Sequence, residues 1–431
     1  MSKPACADEP CPNALGALGA RYRQVRAQSE RLCQPLALED YGVQSMADVS
    51  PPKWHLAHVS WFFEAFLLRP FLAGYRALDE RYDHLFNSYY QSHGTPFPRA
   101  QRGVLSRPTV AQVYRYREHV DQSMAALLAR PPAAQAAEIL RRVELGLQHE
   151  QQHQELLLMD IKHILAQNPM LPAYRDDLDV AAAQPAVPLR WQRYPGGIGP
   201  VGHDEAGFAF DCERPRHRVY VEDYQLASRP VSNAEYAEFI ADGGYGRSDC
   251  WLADGWELIQ RAAWQAPLYW RREDGGWSEM TLGGLRELDP QAPVCHLSYY
   301  EAEAFAAWAG ARLPSEAEWE LAAQNAPVAG NFVEQDRLQP MAAPAPAREQ
   351  GLGQLFGDVW EWTGSAYRPY PGFRALAGSL GEYNGKFMSG QMVLRGGCCA
   401  TPQAHVRSSY RNFFYPAMRW QFSGLRLARE A

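Results

Sequence analysis

The chain has 431 residues, a formal net charge of −7, 46% hydrophobic residues and 21% charged residues. Those proportions exclude a disordered or fibrous polypeptide, and the length predicts two or three domains. Lys and Arg are dispersed rather than gathered into a stripe, which argues against a nucleic-acid partner.

No apolar run reaches the ~20 residues that a membrane span needs. The start, Met1-Ser2-Lys3-Pro4, lacks a secretory apolar core. Eight cysteines occur without CxxC spacing. A cytoplasmic protein with free thiols and no membrane partner is therefore expected.

Apolar residues at helical spacing predict a first helix over residues 14–36. A second should start at Pro51-Pro52, run through Trp61, Phe62, Phe66 and Leu67, and end before Pro70. Residues 87–108 have no periodicity, and a loop of that length inside a compact domain points to function or disorder. Thr109 is placed to cap a third helix reaching residue 128, and residues 133–167 predict a fourth, stopped by Asn168-Pro169. Four main helices with long crossings predict a bundle. The Ala-, Pro- and Asp-rich residues 177–188 predict a linker. Beyond it, Gly, Trp and short apolar stretches predict many turns and short strands, with helical islands over residues 233–241 and 299–309.

The fourth helix carries His149-Glu150-Gln151-Gln152-His153. Histidines four apart share one face of a helix, so both imidazoles can reach one ion. A third ligand is available upstream in Trp54-His55-Leu56-Ala57-His58, where either histidine could serve. Three neutral nitrogens would hold a divalent transition metal and leave positions open for chemistry.

The second half contains "APVCHLSYYEAEAFAAWAGARLPSEAEWELAA" (residues 292–323), "GLGQLFGDVWEWTGSAY" (351–367) and "VLRGGCCATP" (393–402). These resemble formylglycine-generating-enzyme-like domains, which implies a C-type-lectin-like α+β fold. Much of that motif set builds structure: Ser315 caps a helix, and Trp319, Trp360 and Trp362 belong to the core. The helical half resembles DinB-type bundles. The whole chain, with "HEQQHQE" (149–155) and "YRNFFYPAMRWQFSGLRLA" (410–428), resembles the ergothioneine sulfoxide synthases and their sister group, the selenoneine synthases. The implied architecture is α plus α+β: a DinB-like four-helix bundle over residues 1–176, a linker over 177–188, and a lectin-like domain over 189–431.

The resemblance implies non-heme Fe(II) on His58, His149 and His153, with His55 as a nearby competitor. The implied substrates are hercynine, O2 and a chalcogen donor, joined by a C–S or C–Se bond at imidazole C2. Gln152 and Asn412 match substrate contacts, with Asn412 at the betaine end. Phe413, Phe414, Trp420 and Tyr383 are candidates to face the trimethylammonium, which donates no hydrogen bond and is read by aromatic faces. Arg99 and Arg102 match a pair that grips the donor's carboxylate, as a planar guanidinium can. Arg419 matches a further substrate-side arginine. Tyr89 and Tyr90 match a tyrosine pair implicated in proton delivery.

Phe414 stands where users of gamma-glutamylcysteine carry an acid, which argues against that dipeptide. Gly390 stands where a larger residue is expected. The room it leaves tilts the expected donor from cysteine towards a selenosugar. Two other classes are compatible with parts of the sequence. One is a copper-type oxidase of a protein cysteine, although adjacent Cys398 and Cys399 should diverge. The other is a non-catalytic ligand-binding module with structural zinc.

Overall fold

The computed structural model describes residues 12–179, 184–203, 207–273, 275–343 and 351–431. Part of the expected linker, residues 180–183, lies outside the described residues. The chain divides into two compact units, Met1–Ile164 and Leu165–Ala431.

The first unit is helical: α1 Pro12–Cys33, α2 Pro52–Phe63, the short α3 Arg69–Phe71 and α4 Tyr82–Phe86, then α5 Val110–Ala129 and α6 Ala136–Gln167. Thr109 caps α5 as its sequence predicts. Its hydroxyl accepts from Gln112 N at 3.3 Å, while the Gln112 side chain accepts from Thr109 N at 2.8 Å. Val113, Tyr116, Val120, Met124 and Leu127 of α5 are buried at helical spacing, so one stripe of the helix builds core.

A buried ion network ties the four long helices together. Arg26 of α1 donates to Glu150 of α6 at 3.0 Å, to Asp121 of α5 at 2.7 Å and to Ser60 of α2 at 2.9 Å. Arg117 of α5 also reaches Glu150, at 2.7 Å, and Ser29 donates to the same carboxylate at 2.6 Å.

The second helix does not stop before Pro70. After Phe63 the chain makes a π turn, Glu64–Leu68, and continues through α3, which contains Pro70. Proline has no N–H to offer the carbonyl four residues earlier. That carbonyl, Phe66 O, instead accepts from Arg142 Nη1 of α6 at 3.1 Å. The expected loop 87–108 also contains order: residues Arg99–Val104 form a 3-10 turn.

Among its described residues the second unit has four helices of eight or more residues: α7 Asn233–Ala241, α8 Ala253–Ala262, α9 Tyr299–Trp308 and α10 Glu316–Ala323. Ser232, Ser298 and Ser315 cap α7, α9 and α10, each with a glutamate three residues on completing a capping box.

Its strands are short. β1 Trp191–Tyr194, β2 Gly197–Val201, β3 His217–Val221 and β4 Tyr224–Ala227 precede β5 Trp270–Glu273, β6 Gly276–Thr281 and β7 Gly284–Glu287. β8 Trp360–Ala366, β9 Met392–Arg395, β10 Asn412–Phe414, β11 Ser423–Leu425 and β12 Ala428–Glu430 follow. The largest sheet runs β10-β9-β8-β11, with β8 and β11 parallel and the other pairs antiparallel. Trp319, Trp360 and Trp362 are fully buried, in the structural role their motifs suggest. Trp319 Nε1 donates to Glu361 at 2.7 Å, and Arg426 clamps the same carboxylate at 2.7 Å.

Candidate metal centre

The i, i+4 spacing on α6 brings His149 and His153 together, and α2 adds His58. One ring nitrogen from each lies within 4.8 Å of the others, the only such three-residue group of potential ligands among the described residues. His58 Nε2 and His149 Nε2 are 3.2 Å apart. Two nitrogens each ~2.1 Å from one ion make that separation at an angle of roughly 100°. The donor set therefore fits a transition metal. It includes no carboxylate, so the protein brings no negative charge to the ion.

The surroundings keep these rings neutral. Trp54 and Trp61 stack on His58 at 4.6 Å and 5.5 Å, and Phe62 covers His149 at 4.5 Å. Burial in this aromatic shell holds the pKa of His149 down to about 3. Burial first, and then the neighbouring imidazoles, hold His58 and His153 well below the usual histidine range. His58 Nδ1–H donates to Phe86 O at 2.6 Å, which leaves Nε2 as the bare nitrogen facing His149. His153 and the adjacent Gln152 are partly exposed, so the cluster is open on their side.

His55 is not a member of the cluster. Its Nδ1 lies 2.9 Å from His153 Nδ1 and its Nε2 lies 3.0 Å from Asp160 Oδ2. The sequence left His55 and His58 as rivals, whereas the fold separates them, with His58 at the cluster and His55 behind His153.

Arg99 and Arg102, expected as a pair, have different environments. Arg99 is exposed and donates to Asp48 O. Arg102 is buried, with its guanidinium 3.3 Å from the centroid of Trp54, on the ring that also stacks on His58. It donates to the hydroxyls of Ser50 and Ser88 at 2.8 and 3.1 Å. Its Nε has no partner, and it forms no ion pair among the described residues. Burial and the nearby Arg99 push its pKa well down. A buried cation with no carboxylate partner is costly unless an anionic ligand completes it.

Tyr89 and Tyr90 stack at 4.6 Å with their hydroxyls 3.5 Å apart. Tyr90 is fully buried against Trp61, Phe62 and Phe66, whereas Tyr89 is half-buried.

In the second unit the aromatic candidates separate into three groups. Phe413 and Phe414, adjacent on β10, point to opposite sides of their strand. Phe413 stacks on Tyr367 at 4.1 Å and on Phe387 at 6.0 Å, and Phe414 meets Trp420 edge-on at 5.8 Å. Tyr383 stacks on Phe210 at 5.5 Å. Asn412 accepts from Phe413 N at 2.8 Å. Arg419 is already ion-paired: it contacts Glu301 at 3.0 Å, stacks on Trp264 at 3.5 Å and lines a cleft of about 970 Å³.

Gly390 is exposed and has φ +68°, a backbone conformation that favours glycine. Its lack of a side chain is thus accounted for by the turn, which removes the basis for reading it as donor-side room. Cys398 and Cys399 are both free thiols. Both are fully buried, Cys398 Sγ accepts from Thr401 Oγ1 at 3.3 Å, and burial, with the neighbouring Cys398, pushes the Cys399 thiol well up.

Residues 21–157 match the DinB superfamily, and residues 193–431 match the sulfatase-modifying factor enzyme 1-like domain. A hercynine oxygenase of Mycolicibacterium smegmatis is 34% identical over 411 residues, covering 88% of this chain and 91% of that protein. The chain belongs to the hercynine oxygenase family. A second hercynine oxygenase, of Mycobacterium tuberculosis, is 35% identical over 408 residues, covering 88% of this chain and 91% of its own length. The formylglycine-generating enzyme of Streptomyces coelicolor is 28% identical over 233 residues, 44% of this chain and 72% of that enzyme. Family membership therefore extends through both halves, and the likeness to formylglycine-generating enzymes is confined to one.

Sequence reasoning missed the aromatic shell and the ion network. Trp54 and Trp61 sit four residues before and three after His58, a spacing that places them on its helix face. Arg26, Arg117 and Glu150 left no comparable local signal.

Proposed function

We propose that this chain is an O2-dependent oxidoreductase that joins sulfur or selenium to C2 of the imidazole of hercynine, using Fe(II) held by His58, His149 and His153. The observation that supports this reading most directly is the convergence of three neutral imidazoles in a chain whose long-range relatives are named hercynine oxygenases. Bound there, ferrous iron would supply the one-electron chemistry that lets O2 act as oxidant. A ligand set without charge favours anionic co-ligands such as a thiolate or selenolate.

In this reading residues 1–176 carry the metal ligands and the receptor for the chalcogen donor. Gln152 contacts hercynine, and Arg102, assisted by Arg99, holds the donor's carboxylate through charge-assisted hydrogen bonds. Tyr89 and Tyr90 deliver a proton during oxygen reduction. Residues 189–431 read the betaine: Asn412 contacts its polar end, and the Phe414–Trp420 pair offers faces to the trimethylammonium, whereas Phe413 and Tyr383 are taken up by other ring stacks. Arg419, already paired with Glu301, shapes the wall of its cleft.

The buried, unpaired Arg102 favours a donor with a carboxylate, hence cysteine over a neutral selenosugar. Phe414, in edge-on contact with Trp420, offers no carboxylate to the amino group of a gamma-glutamyl dipeptide.

The test is to incubate Fe(II)-loaded protein with hercynine and O2, offering cysteine and selenoglucose in competition, and to identify the product by mass. A C–S product is expected. A C–Se product would reverse the donor assignment and leave the reaction class. No product from either donor, with iron bound, would overturn the reading.

A further inference from the structure

We infer that His55 and Asp160 are positioning residues that fix the ring orientation and tautomer of His153, so that its Nε2 lone pair is directed at the ion. The inference rests on the reading of His58, His149 and His153 as ligands. It adds two residues that would touch neither substrate nor metal.

The argument starts from Asp160. Its carboxylate is buried and accepts from Ser50 N at 2.8 Å. An ionised carboxylate can only accept, so the 3.0 Å contact with His55 requires the proton on His55 Nε2. A neutral imidazole carries one proton, and His55 Nδ1 is therefore bare. It lies 2.9 Å from His153 Nδ1. For that contact to be a hydrogen bond, His153 must carry its proton on Nδ1, and the bare nitrogen of His153 is then Nε2.

A buried carboxylate thus dictates, through one intervening imidazole, which nitrogen of His153 is free. The parallel contact at His58, Nδ1–H to Phe86 O, fixes that ring by a backbone carbonyl. Outer partners of this kind orient ligand imidazoles and raise their basicity, and losing one costs about 10–100-fold in metal affinity.

The geometry also selects the diagnostic substitutions. In His55→Gln the side-chain oxygen can accept from His153 and the amide nitrogen can donate to Asp160, so both bonds survive. His55→Leu removes both. Asp160→Asn keeps an oxygen acceptor for His55.

The experiment has two readouts on the full chain. The first is the tautomer of His153 in metal-free protein, read by long-range 1H–15N correlation on 15N-histidine-labelled material and assigned with His153→Gln. The second is Co(II) affinity, measured by competition with a chromophoric chelator. Wild type should show the Nδ1–H tautomer. His55→Leu should lose that tautomer and bind Co(II) about 10–100-fold more weakly, and His55→Gln and Asp160→Asn should stay near wild type.

An Nε2–H tautomer in wild type would overturn the inference with no variant needed, so it stays testable even if His55→Leu fails to fold. Equal Co(II) affinity and an unchanged ring signal in His55→Leu would overturn it while leaving the three-histidine site standing. Wild type binding Co(II) no better than His149→Ala would instead overturn the ligand reading itself.

Discussion

The imidazole of His58 lies flat against the indole of Trp54, with centroids 4.6 Å apart and planes 11° from parallel. The same indole carries the Arg102 guanidinium at 3.3 Å. A candidate metal ligand and a candidate anion receptor are therefore linked through one ring, and Trp54 sets the distance between them.

Arg102→Met should separate function from stability. Removing a buried cation that lacks a carboxylate partner should stabilise the fold, by on the order of 1 kcal/mol. It should also raise the donor's KM about 10–100-fold, the equivalent of one charge-assisted contact, with hercynine's KM little changed. Thermal denaturation and steady-state kinetics on both substrates check this. Equal effects on the two KM values would refute the donor-binding role.

Glu150→Gln should act in the opposite sense on stability. It leaves Arg26 and Arg117 buried with half their compensation, a loss of about 3–5 kcal/mol for a broken buried pair. Denaturant titration of the variant measures it. Glu150 is also the charge that raises the proton affinity of its neighbour His149, so metal affinity at a temperature where the variant is folded should fall modestly.

The acid response follows from linkage. Burial lowers the folded-state pKa of His149 from 6.5 to about 3, and of His55, His58 and His153 in the same direction. Below pH 6.5 the unfolded chain takes up protons that the folded chain refuses, so stability should fall as pH drops from 6.5 towards 3. Each such proton contributes a slope of up to about 1.4 kcal/mol per pH unit. The folded pKa of Glu150 is held at about 2 by Arg26 and Arg117, against an ordinary 4.5. Its contribution is present above pH 4.5 and is lost as pH falls through about 2. Unfolding of the metal-free protein across this range checks both signs. Metal affinity, by contrast, should change little between pH 7 and 5, because the ligands of the folded protein are already deprotonated.

Gly390→Ala tests whether that glycine serves the pocket or the turn. At φ +68° an alanine should cost about 1 kcal/mol of stability. The ratio of sulfur to selenium product should not move. A changed ratio at unchanged stability would restore the pocket-size reading.

Local signals were legible in the sequence because they are short-range. The i, i+4 histidines of α6 and the Thr109 and Ser315 caps depend on neighbours within one turn. The role of His55 was not legible, because its partners His153 and Asp160 lie about a hundred residues away and two histidines three apart look equivalent on paper. The partner of Arg419, Glu301, and the flanks of Phe413, Tyr367 and Phe387, come from other segments of the chain. The continuation past Pro70 was hidden for the same reason, since the group that caps Phe66 O belongs to Arg142.

The π turn at Glu64–Leu68 has a further consequence. It accommodates one more residue than an α turn would, and each residue of an α-helix advances the chain by about 100° of rotation. Deleting a single residue there would yield a straighter, more regular helix. The flanks would keep close to their present bearings, because the wide turn already absorbs the extra residue; forcing all five residues into α geometry would instead swing one flank by about 100° relative to the other, so that His58 and the chain beyond Leu68 could not both keep their places. That irregularity behaves as an angular spacer, and a variant shortened by one residue there should fold into a regular helix with its histidine still aligned.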